Sequence, residues 1–254
     1  MQTLPKTIAE VLIALDHIIA NAKADNDPTA YFAFLYRRVT AEIGDNLGKG
    51  FFEDDVRMEE FDVAFANRYL EAYHDHQEGL PVNKSWESAF QASDKRHLIL
   101  QHLLLGVNAH INLDLGIAAA ETMKAGQLQD LERDYQLVND ILERITDEVQ
   151  SRLGRVSPLL FLADWLAGNA DEFVINKTIR AARGIAWQLA CQLEGLDQNT
   201  KNQVIQNTDQ RVAVLAQAIK LPVNSGFRAV LRMIRFFEVQ SVNKALEKLQ
   251  VPVI

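Results

Sequence analysis

Residues 96–120 read RHLILQHLLLGVNAHINLDLGIAAA, and no other segment limits the fold as much. At about 100° per residue of an α-helix, the leucines and isoleucines point in nearly every direction. A helix that is apolar all round is normally surrounded by other helices, so the chain must build a bundle around it. The same segment carries polar residues that would be buried with it. His97, Gln101, Asn108 and Asn112 fall within about 60° of one another on the helical repeat. His102, His110 and Asp114 form a second sector about 120° wide. Gly106 lies between His102 and His110, where bare backbone admits a close neighbour or a ligand. Burying such groups without partners would cost roughly 1–3 kcal/mol each. Either the ends of neighbouring helices or a metal, cofactor or substrate must satisfy them.

Helical spacing of apolar residues recurs almost everywhere else, and strand-like alternation is rare. The pattern predicts helices over 5–23, 28–46, 58–78, 84–91, 94–124, 130–153, 157–167, 171–194, 198–219 and 225–249. Asp27-Pro28 and Ser157-Pro158 place a capping residue before a proline in the first turn. Gly79 with Pro81 beyond it, Gly195, and Pro222 mark helix ends. No repeat of fixed period and no long linker is visible. The expectation is a single all-α domain over 1–254, an irregular multi-helix fold around a buried central helix at about 94–124. Residues 1–165 would form its core, with the helices of 166–254 packed on it.

Several classes are disfavoured. The formal charge of −8 repels phosphate backbones, which argues against general nucleic-acid binding. The single Cys191 rules out a disulfide framework within the chain. Residues 1–20 carry Glu10 and Asp16 inside their apolar run and read as an amphipathic helix, not a signal peptide. Residues 98–120 are long enough to span a bilayer, but six polar side chains in hydrocarbon would be very costly. A cytoplasmic location is the default expectation. The glycine-containing stretch GDNLGKGFFEDD (44–55) is a loop and lacks the pattern of a phosphate loop.

The run QHLLLGVNAHINLDLGIAAA (101–120) resembles the signature of a bacterial all-helical family of unknown function. The resemblance extends to FANRYLEAY (65–73) and Trp86 upstream, and to DYQLVNDILERITDEVQ (134–150) downstream. It covers most of the first 165 residues, and the remainder matches more loosely. It implies an all-helical fold and a site at His102, Asn108, His110, Asn112 and Asp114, without assigning them roles.

Three functions are weighed on these residues. In the first, His102, His110, Asp114 and Asp140 hold one divalent transition metal (zinc, iron or manganese), with His17 another candidate to complete the shell. The ion would activate water for hydrolysis of an ester or phosphoester. In the second, no metal is involved. His110 is a general base oriented by Asp114, four residues away, while Arg68, Gln101, Asn108 and Asn112 bind a small polar molecule. The third is a non-catalytic interaction module whose polar residues specify packing. Glu71-x-x-His74 has di-iron spacing, but only Asp94-x-x-His97 could serve as its second half. Arg228, Arg232 and Arg235 share a face, and Arg180 with Arg183 makes a shorter basic cluster. Both suit an anion, an acidic partner, or ion pairing with the chain's own acidic residues. Cys191, Trp165 and Trp187 read as core.

Overall fold

The computed structural model describes residues 3–94, 97–123, 127–162, 172–221 and 224–250. Helix α1 spans Ile8–Ala24, α2 Thr29–Asn46, α3 Asp55–Gln77 and α4 Lys84–Phe90. A 3₁₀ turn follows at Gln91–Asp94. Helix α5 then runs from Ile99 to Thr122, and α6 spans Leu128–Val156. Helix α7 covers Glu172–Leu193, α8 Gln198–Lys220, α9 Ser225–Phe237 and α10 Val242–Gln250. No strand occurs among the described residues, and the fold is all-α.

The expected central helix is the core. Helix α5 packs on α2, α3, α4, α6, α7 and α8. It is long and apolar enough to cross a membrane, yet 72% of its most apolar window is buried inside the bundle. The start expected at residue 94 is wrong: the 3₁₀ turn and a break come first, and the helix begins at Ile99. The helix expected over 225–249 is two helices, because Glu238 turns inward and adopts extended backbone. Of the helix expected over 157–167, the described part is a turn that leads into residues 161–162. Arg96, Trp165 and Pro222 lie outside the described residues.

Buried carboxylates join the elements by capping helices from elsewhere in the chain. Exposed N–H groups at a helix start attract negative charge. Asp209 of α8 accepts from Lys84 N and Ser85 N, fixing the start of α4. Asp134 of α6 accepts from Glu53 N, Asp54 N and Arg57 Nη2 at the start of α3. Glu238 accepts from Ile99 N, from Ser157 Oγ and from Arg235 at the start of α5.

The two polar sectors of α5 meet different surroundings. On one side Gln101 Nε2 donates to the Ile219 carbonyl at 2.7 Å, and Asn108 Nδ2 donates to the Val212 carbonyl at 3.0 Å. Asn112 Nδ2 donates to Asn108 Oδ1 at 3.0 Å. These amides fasten α5 to the backbone of α8. The other sector faces the aromatic interior.

Candidate functional site

The second sector is built around a distortion of α5. Residues His110–Asp114 form a π-helical turn, with Leu115 N–H bonded to the His110 carbonyl. Such turns are rare and often sit at functional sites. His110 Nδ1 lies 3.2 Å from Asp114 Oδ2. Trp86 Nε1 donates to the same oxygen at 2.8 Å, and Arg68 Nε donates to Asp114 Oδ1 at 3.4 Å. Asp114 is 1% exposed. A carboxylate that gathers donors in this way fixes the neighbouring imidazole with its proton on Nδ1. The remaining nitrogen, Nε2, is then a hydrogen-bond acceptor. It is buried and has no hydrogen-bond partner among the described residues.

Aromatic rings enclose the imidazole. Phe65 stacks on it at 3.6 Å between centroids, and the Tyr36 ring stands edge-on at 4.4 Å. Phe32 of α2 lies 5.6 Å away and packs over Gly106. The close neighbour that Gly106 admits is therefore this ring. Burial lowers the His110 pKa below its ordinary value, which outweighs the opposing pull of Asp114, so the ring is neutral near pH 7.

His110 lines a cavity of about 80 Å³ whose walls are mostly apolar, among them Phe61, Phe65, Ile111, Leu115, Val138 and Ile145. Its lining reaches the half-buried Leu35, Leu142 and Ile179. Asp62, also on the wall, was missed by the sequence reading. Its Oδ2 is buried without a hydrogen-bond partner among the described residues. Burial, and then the charge of Glu59, raises its pKa to about 7. The signal was present: Asp62 stands among Met58, Phe61, Phe65, Ala66 and Tyr69 on the apolar face of α3. A separate cavity of about 20 Å³, lined by Thr29, Phe32, Tyr69, Trp86 and His102, is the size of one water.

The remaining expected residues are distributed as follows. Arg68 takes the reading in which it pairs with Asp114; its side chain is 22% exposed and also reaches Glu121. His102 lies beside the smaller cavity, with the Tyr31 ring 6.0 Å away. Asp140, expected to point inward, is a correction: its side chain is 63% exposed and pairs with Arg180. The carboxylate of that helix that does turn inward is Asp134, which serves as a cap. His17 and Glu71 are exposed. Among the described residues no three His, Cys, Asp or Glu side chains converge, so His102, His110, Asp114 and Asp140 are not brought together as one ligand set. Gln101 and Asn108, expected to hold substrate, are bonded to α8 instead. Cys191, expected in the core, is exposed, whereas Trp187 is buried against Tyr135. Of the basic clusters, Arg180 pairs with Glu143, Arg235 with Glu238, and Arg183 is buried.

Fold and site together define an all-α bundle organised around a histidine–carboxylate pair in an aromatic cage. Residues 8–222 match the model of a family described as a family of unknown function (DUF5995), and the chain belongs to that family. The match continues well beyond residue 165, where the sequence reading placed the end of the closer resemblance. No curated protein and no solved structure matches the chain.

Proposed function

We propose that the protein binds a small, mostly apolar molecule in the cavity beside His110, through a hydrogen bond donated by the ligand to Nε2. The observation that carries this reading is the buried acceptor that no described residue satisfies, on a wall that is mostly apolar. Leaving that nitrogen unsatisfied costs roughly 1–3 kcal/mol, which a bound donor recovers. Asp114 holds the tautomer, and Phe65 and Tyr36 hold the ring plane. The same arrangement equips His110 to accept a proton from a bound molecule, as a neutral, oriented base does. Gln101, Asn108 and Asn112 play a structural part in this reading. A metal-assisted hydrolysis of an ester or phosphoester draws less support, because Asp140 and His17 stand at the surface.

The test is ¹⁵N-detected NMR of the histidine rings while a set of small alcohols, amides and acids is added. Binding moves the His110 Nε2 resonance and raises the melting temperature. His110→Phe, which keeps an aromatic ring in the cage, abolishes the stabilisation. If every compound leaves that resonance and the melting temperature unchanged, the proposal fails.

A further inference from the structure

The wall of the same cavity contains Arg183 of α7, which is 3% exposed. Its Nε donates to Asn139 Oδ1 at 2.8 Å, and its Nη2 donates to the Tyr135 carbonyl. The guanidinium carbon lies 4.3 Å from the centroid of the Tyr135 ring. All of these partners are neutral. The Tyr135 hydroxyl donates to the Arg183 carbonyl, and burial pushes its pKa up to about 12. No carboxylate among the described residues pairs with this guanidinium, whereas Arg180, three positions earlier, reaches both Asp140 and Glu143. The acid that shares the cavity wall is Asp62, whose pKa is raised to about 7 by burial.

A buried cation without a counter-charge is far more costly than a buried neutral polar group. An arginine beside a cavity can be offset by a ligand, and its planar fork matches a carboxylate better than any other common anion except phosphate. The size of the space limits the remainder of the ligand. A cavity of about 150 Å³ holds benzene, so about 80 Å³ leaves room for a chain of only a few carbons.

We infer that the ligand of this cavity is a small aliphatic hydroxycarboxylate, its charged end on Arg183, its hydroxyl donating to His110 Nε2 and its short apolar body among Phe61, Phe65, Val138 and Ile145. This inference rests on the pocket reading given above. It adds the charge and the size of the ligand.

The experiment is calorimetric titration of the full chain at pH 6.5, where Asp62 is mostly protonated, with 4-hydroxybutyrate and, separately, with 1,4-butanediol and 4-hydroxybutyramide, alongside His110 ring NMR. The hydroxy acid is expected to bind at least tenfold more tightly than either neutral compound. Arg183→Met is expected to weaken the hydroxy acid at least tenfold and leave the diol unchanged. Should that variant fail to fold, the ratio measured on the wild-type chain decides. Neutral compounds that bind as tightly as the hydroxy acid overturn the anion inference and leave the pocket reading standing. If neither the anion nor the neutral compounds bind, in this series or with two-carbon homologues, both readings fall together.

Discussion

Replacing Gly106 by alanine probes the packing on which the whole site depends. A Cβ built there would lie 2.3 Å from Phe32 Cγ, 2.4 Å from Cδ2 and 2.7 Å from Cβ. The ring cannot simply swing aside, because Tyr69, Trp86, His110 and Tyr36 surround it at 5.0, 5.5, 5.6 and 5.9 Å between centroids. The short approach to Phe32 Cβ means that α2 itself must move. Overpacking of a filled core costs about 1–3 kcal/mol, and these distances place the change at the upper end, about 3 kcal/mol. Alanine is favoured over glycine in a helix by about 1 kcal/mol, which offsets part of that. The net expectation is a loss of about 2 kcal/mol, or roughly 4–8 °C in Tm for a chain of this size. Gly154→Ala supplies the control. That position lies in α6 with nothing within 4 Å of the added carbon, so the same chemical change should stabilise by up to about 1 kcal/mol. Urea unfolding followed by circular dichroism measures both. Phe32→Leu should relieve the clash, so the Gly106→Ala/Phe32→Leu pair should show a favourable coupling of about 1 kcal/mol or more. If Gly106→Ala proves as harmless as Gly154→Ala, the account of α2 packed against bare backbone is wrong.

Other consequences can be checked separately. Asp114→Asn removes a buried charge and turns one of its two acceptor oxygens into a donor, so Trp86, His110 and Arg68 cannot all keep their bonds; it should destabilise by about 3 kcal/mol in urea melts, with a shift in Trp86 fluorescence as the local readout. The folded-state pKa of Asp62 is raised from 3.8 to about 7, so the neutral acid is the form that suits the fold. Stability should therefore fall as pH rises from about 4 through 7 and level off above, and Asp62→Asn should remove that slope. His110 shifts the opposite way: its lowered pKa makes the fold resist protonation, so its contribution weakens as pH drops below 6.5. A ring NMR titration should place its midpoint below that of an ordinary imidazole, and a midpoint at or above 6.5 would contradict the burial argument. Asn108→Ala should cost about 1–2 kcal/mol by freeing the Val212 carbonyl, while leaving ligand shifts at His110 intact.

The sequence disclosed the helices, and it disclosed the split of α5 into two polar sides, because both follow from local periodicity. Gln101 and Asn108 turn to α8, and His110 and Asp114 turn to the aromatic cage, as their angular grouping suggests. What stayed hidden depends on partners far along the chain. Asp140, between Asn139 and Ile141, is the carboxylate the sequence suggests should point inward, yet Asp134 is the one that meets the start of α3. Glu238 breaks a helix of good pattern because the start of α5, 139 residues away, needs an acceptor. Cys191 sits in an apolar run, yet its side chain is exposed. Asp62 and Arg183 join His110 on the wall of one cavity only once α3, α5 and α7 are assembled, although the apolar face around Asp62 is visible in the sequence.

The widened turn at His110–Asp114 also acts as a length adjuster. It bonds each N–H one residue further back than an α-helix does, so it absorbs about one extra position and offsets everything after it by about 100° around the axis. Two residues beyond it stands Gly116, whose missing side chain lets the Ala186 carbonyl of α7 come to within 2.5 Å of where a Cβ would be. Deleting a single amino acid inside the turn would let the ladder tighten, swing Gly116 off that seam and present a bulkier neighbour there. The wide turn beside the imidazole and the docking of the helix that brings Arg183 are thus set by the same spare residue.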